Sequence, residues 1–220
     1  MNADEDDPSE YPQGGKVSVL GLLAGVYDAV SNAADLEITL PTDAQLGAAV
    51  AVGDYDEDGA IDLAMGAPTA DGAGAVYVVS DYEYFLGAEA GVTLDLDAAA
   101  SHRIIGSAGG FGVGVSISPD MTGDGVPDFL VAESEVDEVG VVWVVSGALL
   151  VEGDNAIEDV SVLGIRAQYH AERIGQTLAA ADFDGDGIVD PVIGSSHHPT
   201  PADVGLAMSG RVSILLSGVR

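Results

Sequence analysis

Apolar and polar positions follow the same order three times along the chain. A short apolar stretch of small residues comes first: "LGAAVAVG" from Leu46, "FGVGVSISP" from Phe111 and "IGQTLAAA" from Ile174. A nine-residue acidic stretch follows, and then a near-continuous apolar run: "LAMGAP" from Leu63, "FLVAES" from Phe129 and "PVIGSS" from Pro191. The last segment opens on glycine and is rich in Val, Tyr, Trp and Ile: "GAVYVVS" from Gly74, "GVVWVVSG" from Gly140 and "GRVSILLSG" from Gly210. Runs of this length and composition, bounded by Gly and Asp, predict β-strands. Each unit therefore predicts three strands, with the acidic stretch as the turn between the first two. "LEITL" from Leu36, "HRIIGS" from His102 and "VSVLGI" from Val160 predict a fourth.

The acidic stretches start at Asp54, Asp120 and Asp182, which are 66 (120 − 54) and 62 (182 − 120) residues apart. Four antiparallel strands recurring at that interval predict an all-β chain built as blades of a β-propeller. The expected units are 34–100, 101–158 and 159–220, within one propeller domain. Residues 1–33 contribute part of a further blade, because "GGKVSVLG" from Gly14 matches a third strand. The middle unit has one more residue than the others between its lead-in glycine and its acidic loop, which predicts a β-bulge there. Three units and a partial one fall short of the four to eight blades of a usual ring. The sequence therefore predicts an arc that needs further blades, or self-association, to close.

The acidic loops read "DYDEDGAID", "DMTGDGVPD" and "DFDGDGIVD". An EF-hand would need a bidentate glutamate at its twelfth position, between helices. Here that position holds Met65, Val131 and Ile193, inside predicted strands. These loops instead close at position nine. Positions one, three, five and nine offer Asp54, Asp56, Asp58 and Asp62; Asp120, Thr122, Asp124 and Asp128; and Asp182, Asp184, Asp186 and Asp190. The backbone carbonyls at position seven (Ala60, Val126 and Ile188) complete a set of hard oxygen ligands that suits calcium, giving about three Ca²⁺ sites. Glycine at position six (Gly59, Gly125 and Gly187) permits the tight turn. Thr122 leaves the middle loop one carboxylate short, so it should bind most weakly.

Charge narrows the partners. Six Lys and Arg against 37 Asp and Glu give a net charge of −31, which repels nucleic acid and anionic membranes and attracts cations. With 47% hydrophobic residues the chain can bury a core, and with no cysteine it has neither disulfides nor thiolate chemistry. "VSVLGLLAGV" from Val17 is too short to span a bilayer and follows an acidic stretch, so it predicts strand and turn, not an export signal.

Together the Phe-Gly pair (Phe111, Gly112), the Asp-rich loop, Gly-Ala-Pro (Gly66 to Pro68) and the Gly-x-Val-x-Val strand resemble the FG-GAP repeat of integrin α-subunit propellers and their bacterial relatives. The first and third units depart from it with Leu46-Gly47 and Ile174-Gly175, and only the first keeps Gly-Ala-Pro. The resemblance implies a seven-bladed type of ring and a calcium-stabilised binding or adhesion module. Its loops would engage a protein or glycan partner in an extracellular, cell-surface or periplasmic setting. The alternatives are an accessory domain of a secreted enzyme, phospholipase D-like or a lyase, and a passive surface spacer. No nucleophile, base and carboxylate pattern predicts catalysis in this chain.

Other motifs carry less. "HHPT", with His197, His198 and nearby Asp203, offers imidazoles that suit a transition metal but falls in a long loop. His102 and His170 precede lead-in strands and are expected in loops. "GSAGGFGVG" from Gly106 lacks the Lys-Ser/Thr ending of a phosphate loop. Trp143 and Tyr77 occupy strand positions and are expected to pack.

Overall fold

The computed structural model describes residues 15–19, 36–40, 43–80, 92–134, 136, 139–169, 172–198 and 210–218. They form fifteen strands in four sheets. The first sheet joins β1 (Lys16–Val19), β2 (Leu36–Thr39) and β6 (Val92–Asp95). The second is built from β3 (Val50–Gly53), β4 (Asp62–Ala67), β5 (Ala75–Val79), β7 (His102–Ile105) and β11 (Gly153–Ala156). The third holds β8 (Phe111–Ser118), β9 (Asp128–Glu133), β10 (Val141–Val145) and β12 (Ser161–Arg166). The fourth holds β13 (Ile174–Ala181), β14 (Asp190–Ser195) and β15 (Arg211–Ile214). This is the architecture of successive propeller blades, an arc and not a closed barrel.

The first three sheets each take a fourth strand from the next sequence unit. Strands β2, β7 and β12 pair antiparallel with β1, β5 and β10. A sequence repeat and a blade are thus different sets of residues. The blades also depart from a purely antiparallel pattern. β6 runs parallel to β2, and β11 runs parallel to β7, so the segment between the third and fourth strands of one blade adds a fifth strand to the blade before it. A single helical turn then returns the chain: α1 (Leu96–Ala99) after β6 and α2 (Ile157–Val160) after β11. Asp95 caps α1 by accepting a hydrogen bond from the Asp97 amide at 3.2 Å.

Three apolar cores lie between successive sheets. Val17, Ile38, Leu46, Met65 and Leu96 fill the first. Phe111, Phe129, Val76, Val78 and Ile104 fill the second. The third holds Leu130, Val142, Ile174 and Ile193. Burying each such side chain contributes about 1.5–3 kcal/mol, so adhesion between neighbouring blades dominates the fold.

Glycines let the inner strands approach. Gly112, at φ +90°, lies across the second core from Gly66, and a Cβ on Gly66 would overlap the Gly112 carbonyl oxygen. At the next interface Gly175, at φ +79°, faces Ala132, which replaces the glycine of Gly-Ala-Pro. The bulge expected in the middle unit occurs in the third as well. The ladder shifts between Phe111 and Gly114 and again between Ile174 and Thr177, both just after the Phe-Gly or Ile-Gly pair. The extra residue, Pro119, lies outside β8, where a missing N–H costs the ladder nothing.

Two further expectations change. His102 opens β7 and is no loop residue: its Nε2 lies 2.6 Å from the Tyr55 hydroxyl and its Nδ1 2.8 Å from the Val151 carbonyl. Trp143 packs as expected but also donates from Nε1 to the fully buried Glu133 at 2.8 Å. Glu133 also accepts from the amides of Ser107 and Ala108 at 2.6 and 2.8 Å, which satisfies the carboxylate and ties down the loop before β8.

Candidate metal sites

The three acidic loops span the β3–β4, β8–β9 and β13–β14 connections and share one backbone course. The position-six glycines adopt left-handed angles, with φ of 93° at Gly59, 90° at Gly125 and 90° at Gly187. Position four is left-handed too. Gly123 and Gly185 adopt it freely, whereas Glu57, at φ 58°, does so at a steric cost.

The first aspartate of each loop accepts the amide of the position-six glycine: Gly59 to Asp54 at 3.0 Å, Gly125 to Asp120 at 2.8 Å and Gly187 to Asp182 at 2.9 Å. The position-seven amides of Ala60, Val126 and Ile188 donate to Asp58, Asp124 and Asp186 at 2.8, 3.0 and 2.9 Å. The ninth aspartate reaches back to position two. Asp62 accepts from the Tyr55 amide, Asp128 from Met121 and Asp190 from Phe183.

This folding gathers carboxylates in each loop. Ligand atoms of Asp54, Asp56 and Asp58 lie within 4.8 Å of one another, as do those of Asp120, Asp124 and Asp128, and those of Asp182, Asp184 and Asp190. The predicted sets are therefore gathered in part. Asp62 and Asp186 stand outside these triples, and Thr122 turns its hydroxyl towards both Asp120 and Asp128 at 3.4 Å. One buried oxygen, Asp54 Oδ1, has no hydrogen-bond partner. A carboxylate oxygen removed from water without a donor is costly, and a cation would offset that cost.

The electrostatics of the loops differ. Burial raises the Asp128 carboxyl above the ordinary range, against the opposing amides of Met121, Thr122 and Gly147. At Asp120 burial also raises the value, but the amides of Gly125 and Gly123 prevail and lower it. The Ser146 hydroxyl, 2.6 Å from Asp124, and the Val126 amide hold Asp124 down. Asp190 is lowered by the amides of Ser217 and Phe183.

Ser146 and Ser217 escape a reading confined to the acidic loops. Both follow a third strand, and Ser217 donates from its hydroxyl to the Val189 carbonyl at 2.9 Å. Their signal was the serine that ends "GAVYVVS", "GVVWVVSG" and "GRVSILLSG". In the first unit its counterpart, Ser80, lies 3.2 Å from the Tyr55 hydroxyl.

A family model for the FG-GAP repeat matches residues 46–79, which run from the first lead-in through the acidic loop to the end of β5. Residues 46–79 are an FG-GAP repeat. Among the proteins the chain is similar to are a phospholipase and an integrin subunit. Phosphatidylinositol-glycan-specific phospholipase D from Homo sapiens is 34% identical over 167 residues, 71% of this chain and 19% of the relative, and the Bos taurus protein of that name is 33% identical over 165 residues. Integrin alpha-4 from Xenopus laevis is 30% identical over 176 residues, 76% of this chain and 16% of the relative. The chain thus spans less than a fifth of the length of the relatives it matches.

The remaining predicted residues are accounted for otherwise. His198 donates from Nδ1 at 2.8 Å to the fully buried Glu172 carboxylate, to which Arg211 also donates at 2.9 Å. His197 contacts Ser196 at 2.8 Å. The His-His motif thus takes part in hydrogen bonding around Glu172 and Ser196. Asp203 and His170 lie outside the described residues. Among the described residues, no helix is long and apolar enough to cross a membrane.

Proposed function

We propose that the chain is a calcium-stabilised recognition module, an FG-GAP propeller arc of an exported protein that presents loops to a protein or glycan partner. The observation that carries this reading is the triple recurrence, in one backbone register, of carboxylates gathered within 4.8 Å around left-handed glycines. Surface hairpins rich in Asp and Gly are common, but three of matching internal hydrogen bonding, one with an orphaned buried oxygen, favour a shared ion.

Calcium fits better than a softer or smaller ion. The gathered donors are carboxylate oxygens, which suit a hard cation and not a metal that prefers thiolate or imidazole. Clustered unit charges about 4 Å apart repel by roughly 4 kcal/mol at a surface-like dielectric, so the ion stabilises the turn and with it the β-hairpin that carries it. Sites of this extracellular type bind at about 10⁻⁴ to 10⁻³ M, which supports an extracellular, surface or periplasmic setting.

The match to phosphatidylinositol-glycan-specific phospholipase D supports a second reading, an accessory propeller attached to a lipid-acting enzyme. On that reading the catalytic groups lie outside the matched fifth of the relative.

Calorimetric titration of calcium into the chelator-stripped chain, with thermal melts in parallel, tests the proposal. About three ions with a rising melting temperature support it, and no binding overturns it. Hydrolysis of a glycosylphosphatidylinositol substrate by the chain itself would favour the enzymatic reading over both.

A further inference from the structure

The first acidic loop reaches beyond its own hairpin. Tyr55, its second residue, sits between Asp54 and Asp56 and is 6% exposed, although Asp56 to Gly59 stand in solvent. Its ring packs on Phe129 of the next blade, with centroids 5.5 Å apart, and meets the His102 ring in a T-shaped contact at 5.6 Å. Its hydroxyl lies 2.6 Å from His102 Nε2 and 3.2 Å from the Ser80 hydroxyl. On the far side of the imidazole, Nδ1 lies 2.8 Å from the Val151 carbonyl. A carbonyl only accepts, so Nδ1 carries the hydrogen, and in the neutral ring Nε2 accepts from Tyr55. The same carbonyl accepts from the Asn155 side-chain amide at 2.9 Å, and Asn155 Oδ1 accepts from the Val151 amide at 2.9 Å. Asn155 lies in β11, the strand that the following blade lends to this sheet. Hydrogen bonds thus run from the acidic loop through β7 to β11.

The other two loops lack this link. Their second residues are Met121 and Phe183, which have no hydroxyl. His102 stands opposite Val78, and opposite the corresponding Val144 the register places Leu163. Met121 and Leu163 can pack but cannot pass on a hydrogen bond.

We infer that filling of the first acidic loop and seating of β11 on β7 are coupled, with Tyr55 and His102 as the positioning residues. Gathering Asp54 and Asp56 fixes the backbone on both sides of Tyr55, whose amide Asp62 also holds at 2.8 Å. The fixed hydroxyl then holds the imidazole, and the imidazole holds the turn that opens β11. Where the carboxylates repel one another unscreened, the loop loosens and the His102–Val151 bond loses its support. Such coupling is reciprocal, so a seated β11 also favours the filled loop.

The inference rests on the reading of the acidic loops as calcium sites, and its test separates the two. Hydrogen exchange at Gly153–Ala156 would be measured with calcium and with chelator, beside calorimetric titration, in wild type, Tyr55→Phe, Asp54→Asn and Asp182→Asn. Tyr55→Phe keeps the ring on Phe129 and removes only the hydroxyl. Calcium should slow exchange at these amides about fivefold or more in wild type and Asp182→Asn, and far less in Asp54→Asn and Tyr55→Phe. By reciprocity, Tyr55→Phe should also weaken one phase of the titration by a similar factor. Equal slowing in wild type and Tyr55→Phe would overturn the inference, as would equal loss of slowing in Asp54→Asn and Asp182→Asn. Calcium binding with no change in exchange would overturn it and leave the calcium reading standing, whereas no calcium binding overturns both.

Discussion

Gly66 and Gly112 stand against each other across the second core, the glycine of Gly-Ala-Pro in one blade meeting the glycine of Phe-Gly in the next. No side chain fits between them. Gly112→Ala adds a Cβ at φ +90°, which costs about 1–2 kcal/mol, and forces overlap worth about 1–3 kcal/mol more. Gly72→Ala, at φ +80° with nothing within 4 Å of its would-be Cβ, meets only the first of these costs. Urea denaturation of the two variants should therefore show Gly112→Ala the more destabilised by about 1 kcal/mol or more. Equal losses would mean that the blades can slide apart to admit the methyl.

Calcium removal should lower the melting temperature, and the three loops should not contribute alike. Free calcium at ten times a site's dissociation constant adds roughly 1.4 kcal/mol. The loop with Thr122 should fill last, so Asp120→Asn should remove the weakest phase of a calorimetric titration, and Asp182→Asn a tighter one. The reverse order would show that the backbone amides around Asp120, and not carboxylate number, set affinity.

Ser146 predicts a local effect. Its hydroxyl holds Asp124 at 2.6 Å, and Ser146→Ala withdraws that donor at a cost of about 1 kcal/mol. Calcium affinity should fall several-fold at the middle loop alone, with the other two phases of the titration unmoved. A uniform weakening of all three would point to a general loss of stability instead.

Acid should release the clamp at Glu172. Burial raises this carboxyl, but His198, the amides of Gln168 and Tyr169, and Arg211 together lower it below the ordinary glutamate range. A lowered folded value means that the stabilisation is complete above the unfolded value, about 4.3, and is lost as pH falls through the folded one. Denaturation of wild type and Glu172→Gln in calcium-free buffer should show a stability gap that closes only below that unfolded value. A gap unchanged down to the acid limit would remove ionisation from the account.

The parts of the fold legible in the sequence were those with a strict spacing. The acidic loops, the lead-in strands and the third strands repeat glycine and aspartate at fixed intervals, because left-handed turns and close strand approach tolerate few substitutes. β6 and β11 stayed hidden, since "VTLD" and "GDNA" are held by main-chain hydrogen bonds that leave no mark on composition. The burial of Glu133 and Glu172 left no mark in the sequence either. Their partners include the Ser107 and Ala108 amides for Glu133 and the Arg211 guanidinium for Glu172, all brought from far along the chain. For the loops, sequence showed which residues gather but not that Asp62 and Asp186 stand apart from their triples.

The parallel strand β11 gives neighbouring blades a common backbone ladder. Prising the third sheet from the second means unzipping Gly153–Ala156 from His102–Ile105 as well as wetting the core between them. Oily interfaces alone would let two blades slip under tension. Here a pull on one blade is passed to the next through the main chain, so the blades resist shear as stitched cloth does, at the two seams that β6 and β11 span.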